Sequence, residues 1–256
     1  MTAFTALVLA GDRGEPDAVS AYAGVAHKGL IKLQGEILLA RVLRALAEAG
    51  ATRIGVCANN AELLAALPAA RPVGVAVEVI APEAGPSLSV LRSAQALGTP
   101  LLVTTVDHAL LKPEWVKQFI ADAPASCDIA AFLAPEAAVR HDAPETKRTW
   151  LTFRDGRYSG CNLFLLRTPY ALKAIELWRT VEAHRKKPWR IALILGLGTL
   201  ARFALGRLTL DQAIADIGKR AGVKAAAVRS NYGLAAVDVD KPADLDLVRQ
   251  ITGEQP

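Results

Sequence analysis

Phe4-Thr5-Ala6-Leu7-Val8-Leu9-Ala10 runs into Gly11-Asp12-Arg13-Gly14. A short run of apolar and small residues ended by glycine reads as a strand buried on both faces. Residues 11–28 that follow are polar and turn-rich, with Gly11, Gly14, Pro16 and Gly24, and read as one long loop. Loops of that length in compact domains are usually functional.

Further along, strand-like and helix-like patterns alternate. A helix is predicted over 36–49, with Ile37, Leu38, Val42, Leu46 and Ala49 on one face and Gly50 as its stop. Strands follow at 52–57, 75–80 and 101–106. Between them lie helices at 60–67, ended by Pro68, and 87–97, with Ser87 as a plausible cap. This alternation predicts an α/β fold with a doubly wound, mostly parallel sheet. Ligands on such sheets bind beyond the carboxyl ends of the strands. Both the loop after the first strand and Asp107, which closes Leu101-Leu102-Val103-Thr104-Thr105-Val106, stand at such ends.

The second half is less regular. A helix is expected at 113–121, a strand at 127–133, a polar loop at 135–147 and two strands at 150–153 and 162–166. A long helix at 169–184 meets Lys186-Lys187-Pro188-Trp189, and the helical pattern resumes over 190–204. A helix capped by Thr209 runs to 217, strands lie at 223–229 and 235–237, and a closing helix spans 242–251. One domain over 1–256 is the simplest parse. Its parts are a first half (1–110), a second half (111–234) with a helical insertion (169–220), and a closing element (235–256).

The 256 residues are 52% hydrophobic and 21% charged, which excludes a disordered tail. The formal charge of +5 suits an anionic ligand, but no Lys/Arg run dominates, so no nucleic-acid partner is expected. Cys57, Cys127 and Cys161 are widely spaced, indicating neither a zinc site nor a disulfide framework. The N-terminal run is strand-sized and does not read as a signal peptide. Ile191 to Ala201, the most apolar stretch, has eleven uncharged residues between Arg190 and Arg202. About 20 are needed to span a bilayer. The stretch reads as a buried helix or as a surface touching lipid or an apolar substrate. A cytoplasmic protein without stable membrane insertion is expected, with monomer and homodimer both open.

Glycines after a strand let backbone N–H groups approach phosphates, and a lysine folded back over them would neutralise phosphate charge. Lys28, at the far end of the loop, is that candidate. Neither a dinucleotide fingerprint nor a P-loop is present.

The order LVLAGDRG, then KGLIKLQGEILLARVL, resembles the start of the GT-A-like nucleotidyltransferase family, closest to the molybdenum-cofactor guanylyltransferase-like (MobA-like) subgroup. Lys28, Leu30 and Gly35 fall in its K-x-L-x-x-x-x-G pattern. The resemblance implies a Rossmann-like, GT-A-type fold. It places Leu9, Ala10, Gly11, Asp12 and Gly14 on the nucleotide, with Arg13 and Lys28 on the triphosphate and leaving pyrophosphate. Asp12 stands where the family has a second glycine. Pro16 stands where its loop arginine usually falls, with Arg13 as the substitute. Asp107 corresponds to the family's metal-binding aspartate, with a turn cap as the plainer role. Ala236-Val237-Asp238-Val239-Asp240-Lys241-Pro242-Ala243-Asp244-Leu245 resembles its closing element, making Asp238 the second metal ligand and Asp240 the alternative. Mg²⁺ is the cation such hard oxygen donors and phosphates select. Gly85 and Ser87 correspond to base-reading residues, or serve as a turn and a cap. Gly160 and Asn162 fall in the acceptor-contacting stretch. Lys147, Arg148, Lys186 and Lys187 could meet an acceptor phosphate or form a solvated face. His108 reads as a polar loop residue.

The implied reaction is Mg²⁺-dependent transfer of NMP from an NTP to a phosphorylated small-molecule acceptor, with release of pyrophosphate. Two alternatives stand beside it. A GT-A glycosyltransferase would carry Asp-x-Asp where this chain has Asp107-His108-Ala109. A non-catalytic nucleotide-binding protein would tolerate the changes at Asp12 and Pro16.

Overall fold

A computed structural model of the chain describes residues 3–12, 17–184 and 196–254. Its centre is β1 (Phe4–Ala10), which pairs in parallel with β4 (Ala51–Ala58) on one side and β6 (Leu101–Thr105) on the other. Side chains alternate along β1. Phe4, Ala6, Val8 and Ala10 enter one apolar core, and Leu7, with Leu9 packed beside it, enters the other. A strand buried on both faces therefore carries no polar alternation.

β5 (Ala76–Ile80) extends the sheet beyond β4, in parallel. On the other side β9 (Gly156–Leu166) runs antiparallel to both β6 and β7 (Ile129–Pro135). β10 (Ala225–Arg229) pairs in parallel with β7, and β8 (Leu151–Phe153) forms a hairpin with β9. The order is β10-β7-β9-β6-β1-β4-β5, a mostly parallel, Rossmann-like sheet with one reversed strand. The chain first builds outward through β4 and β5 and then returns to add β6 across β1. That reversal opens a crevice between the carboxyl ends of β1 and β6.

Helices cover both faces. α2 (Leu38–Glu48), α5 (Pro113–Asp122) and α10 (Pro242–Thr252) pack on the larger core, and α4 (Pro86–Leu97) and α7 (Ala171–Ala183) on the smaller. α8 (Leu197–Ala204) and α9 (Leu210–Ala221) add the helical region of the second half. Thr209 caps α9 as expected, in a reciprocal capping box with Gln212. The parts of the expected 190–204 helix and the Lys186–Lys187 basic pair that fall in 185–195 lie outside the described residues.

Several local expectations are corrected. The loop 11–28 contains α1 (Ala18–Ala23), started by Asp17, whose carboxylate accepts from the Val19 and Ser20 amides. α3 (Ala61–Ala70) runs through Pro68, which in its last turns forfeits only one helical bond while Leu67 and Ala70 stay buried. The stretch 135–147 holds α6 (Glu136–Asp142), with Val139 buried beneath it. Ser87 does not cap α4. Gly85 is the N-cap and Pro86 occupies the first turn. Residues 235–237 are not a strand, because Gly233–Ala236 form a 3₁₀ turn that leads into Asp238.

Gly35 has a local cause. With Gln34 (φ 53°) it forms the two-residue turn (φ 78°) between β2 (Lys32–Leu33) and β3 (Glu36–Ile37), where both turn positions require positive φ.

Candidate active site

The ends of β1 and β6 are tied together: the Val106 amide donates to the Leu9 carbonyl at 3.0 Å. One residue on, the Val239 amide donates to the Asp107 carbonyl, also at 3.0 Å, and brings in the segment that carries Asp238 and Asp240. Residues far apart in sequence thus meet at the crevice left by the strand-order reversal.

Lys28 sits on a 3₁₀ turn, Lys28–Leu30, started by His27, whose Nδ1 accepts from the Gly29 amide at 2.9 Å. A Cβ on Gly29 would lie 2.9 Å from both Leu63 and Val106, so only glycine lets the turn pack onto the core. The turn aims the Lys28 ammonium at Asp107, with which it forms a hydrogen-bonded ion pair, and sets it 3.5 Å from Asp240. Burial alone would lower the Lys28 pKa. The charge and hydrogen bond of Asp107, with Asp240 behind, outweigh burial and raise it. Lys28 is a fixed cation.

Asp107 is 5% exposed, and its other oxygen accepts from the Thr105 hydroxyl. Asp238 is 6% exposed and fully engaged. Arg148 Nη1 donates to Oδ1 at 2.6 Å, and Asn162 Nδ2 to Oδ2 at 2.5 Å. Asp240 faces solvent on one side. Partial burial, then the charges of Asp238 and Asp107, raise its pKa against the pull of Lys28. Three carboxylates thus face two cations.

Asn162 reaches Asp238 through a distortion of β9. Ala131 pairs with Phe164 and Leu133 with Gly160, so three residues of β9 bulge opposite Phe132. Asn162 takes φ 49°, a conformation asparagine tolerates better than most side chains. Gly160 lies two residues away, with open space where a Cβ would stand.

The loop after β1 is braced. The Asp12 amide donates to Asn59 Oδ1 at 2.8 Å, Asn59 Nδ2 donates back to the Asp12 carbonyl, and Asn60 Nδ2 to the Asp12 carboxylate. Gly11 passes close over Pro82, 3.2 Å from where its own Cβ would be. Arg13, Gly14 and Pro16 lie outside the described residues.

Gly85 and Ser87 lie at the start of α4. The Ser87 hydroxyl donates to Glu182 of α7 at 2.6 Å, and Glu182 also crowds Gly85. His108 is 1% exposed. Burial holds its imidazole neutral, with a pKa near 4, against the pull of Asp238 and Asp107. Ala109, which is buried, stands where an Asp-x-Asp element would carry its second carboxylate.

Arg148, weighed in the sequence as part of a solvated face, is buried on Asp238. Thr105, Glu182 and the Asn59-Asn60 pair carry no sequence signal of their own, because single polar residues at strand and helix ends are common. Among the described residues no three His, Cys, Asp or Glu side chains are grouped to hold a metal, and no helix is long and apolar enough to cross a membrane.

Residues 6–190 match the family model of the MobA-like NTP transferase domain. A hypothetical transferase from Thermus thermophilus is 31% identical, with 94% of this chain and 98% of that one covered and a TM-score of 0.78. A nucleotidyl transferase from Methanothermobacter thermautotrophicus is 20% identical, with 97% and 96% covered and a TM-score of 0.56. A CMP:2-keto-3-deoxy-manno-octonic acid synthetase complexed with CTP is 15% identical, with 99% of each chain covered and a TM-score of 0.56. The last two share the fold. No curated protein matches the chain.

Proposed function

Because the chain belongs to the MobA-like NTP transferase family and is a nucleotidyltransferase, we propose that it transfers NMP from an NTP to a phosphorylated small-molecule acceptor. The observation that carries this reading is the convergence of Lys28, Asp107 and Asp238 at the crevice between β1 and β6.

An oxygen of the acceptor phosphate attacks the α-phosphorus in line. A new P–O bond forms, the bond to the β-phosphate oxygen breaks, and pyrophosphate leaves. Such chemistry depends on positioning and on neutralising charge rather than on a protein nucleophile. The braced loop, with Leu9, Ala10, Gly11, Asp12 and Gly14, cradles the triphosphate. Lys28, charged at any physiological pH, and Arg13 neutralise the leaving pyrophosphate. Gly85 and Ser87 face the base, and Gly160 leaves room for the acceptor. Residues 1–110 form the nucleotide half and 111–234 the acceptor half.

The donor chemistry fits Mg²⁺. Asp107 and Asp238 are buried hard-oxygen groups that each already face a cation. Mg²⁺ needs only one or two protein carboxylates when phosphates and water complete its shell. When bound it supplies charge neutralisation at the reacting phosphate. Asp107 and Asp238 would hold it, with Asp240 beside them.

The glycosyltransferase alternative is less well supported, since Ala109 stands where an Asp-x-Asp element would place its second carboxylate. Family membership, the ionised Lys28 and the braced loop together favour an active enzyme over a binding protein. Cytoplasmic action on soluble substrates follows from the same reading.

The test is pyrophosphate release from each NTP with Mg²⁺ and a panel of phosphorylated sugars, alcohols and cofactors. One NTP–acceptor pair should give steady release, and Asp107→Asn should lower it at least about 100-fold. Unchanged release in that variant overturns the assignment of Asp107.

A further inference from the structure

Asp238 is the carboxylate the proposed reaction needs for its cation, yet both of its oxygens are engaged. Arg148 holds Oδ1 with one nitrogen, Nη1, and its side chain is only 12% exposed. Its Nε is buried and meets no hydrogen-bond partner among the described residues. A guanidinium is a rigid fork of five donors that suits phosphate oxygens. Leaving one of those donors buried and unmatched is costly. Thr146 Oγ1, two residues before, is also buried and meets no hydrogen-bond partner among the described residues. Arg148 also stands on residues 143–150, a stretch between α6 and β8 that is neither helix nor strand, so no backbone ladder fixes its position.

We propose that Arg148 is a phosphate-binding residue stored on Asp238. It neutralises that carboxylate in the empty enzyme and passes to the phosphate of the acceptor when a divalent cation takes Asp238. The inference rests on the nucleotidyl-transfer reading. Two cations compete for one carboxylate oxygen. When the divalent ion wins, the guanidinium keeps its full charge and loses its counter-ion inside a poorly solvated site. An incoming phosphate restores the balance and offers a second oxygen to the unmatched Nε. Lys28 stands in the same relation to Asp107, but on the side of the β1 loop. Arg148 arrives from the β7–β9 side, which assigns it to the acceptor.

Two binding measurements, neither requiring turnover, test this. Binding of Mn²⁺ alone is followed through the free-ion electron paramagnetic resonance signal. Binding of inorganic phosphate at saturating Mg²⁺ is followed by titration calorimetry. Arg148→Gln should bind Mn²⁺ about tenfold more tightly than wild type, because the competing cation is gone, and phosphate about tenfold more weakly. Arg148→Lys, which keeps charge but not the fork, should fall between the two for phosphate and stay near wild type for Mn²⁺. Asp238→Asn should lose the Mn²⁺ site. A residue that merely props the fold would lower the melting temperature without moving the two affinities in opposite directions. If wild type binds both ions while Arg148→Gln and Arg148→Lys match it, the exchange is overturned and the reaction stands. If wild type binds neither ion yet releases pyrophosphate with an NTP–acceptor pair, the exchange alone is overturned; if it neither binds the ions nor releases pyrophosphate, the nucleotidyl-transfer reading falls and the exchange with it.

Discussion

Each carboxylate of the site is held by a single cation, and that pairing sets what substitutions do. Lys28→Met keeps the aliphatic stem and removes the charge that faces Asp107 and the pyrophosphate. Pyrophosphate assays should show kcat/KM reduced by about 10²–10³. Asn162 has two roles that substitution can separate. Asn162→Gly relieves the φ 49° backbone but deletes the amide on Asp238. Its melting temperature should stay near wild type while activity falls. Asn162→Ala should lose activity and also about 1 kcal/mol of stability, because alanine is strained in the left-handed region; thermal denaturation of both variants checks this. Lys28, Asp107 and Asp238 were legible in the sequence because they end a strand or sit in a patterned motif. Arg148 was not, because nothing in Lys147-Arg148 distinguishes a solvated arginine from one drawn inward by a distant carboxylate. Asn162 was singled out for an acceptor, but its observed partner is Asp238.

Among the elements, strands and long helices followed from apolar runs and stop signals. The missed pieces, α1 and α6, are short helices embedded in polar stretches, where capping and one or two buried contacts outweigh composition. Asp17 supplies that start for α1, and the buried Val139 anchors α6. α6 bears on the site through the 3₁₀ turn Gly233–Ala236, whose first amide donates to Asp142 at 2.7 Å. A Cβ on Gly233 would overlap the Ala138 carbonyl, an obstacle that cannot rotate away. Gly233→Ala should therefore destabilise the protein by about 3 kcal/mol in urea denaturation. It should also reduce activity, because the turn delivers Asp238.

For the molecule as a whole, two buried histidines contribute to the acid limb of stability. Burial lowers the pKa of His27 and takes that of His108 to about 4, whereas both titrate near 6.5 when unfolded. The unfolded chain therefore binds more protons below pH 6.5, and stability falls as pH drops through that value. The contribution of His108 is lost progressively down to about pH 4, to a total of about 3 kcal/mol. Urea midpoints between pH 7.5 and 4.5 should decline accordingly. His27→Asn, whose side-chain oxygen can still accept from Gly29, should flatten part of that slope. The sequence by itself determined the α/β class, the glycine loop, and the aspartates that follow the fourth-strand run and open the closing element, because strand periodicity, turn chemistry and motif spacing are local. Only the tertiary structure decided the reversed β9, its bulge at Asn162 and the pairing of Arg148 with Asp238. Those depend on which strands become neighbours and on which buried charges must find counter-ions, and both are settled by packing between residues as much as 90 apart in the chain.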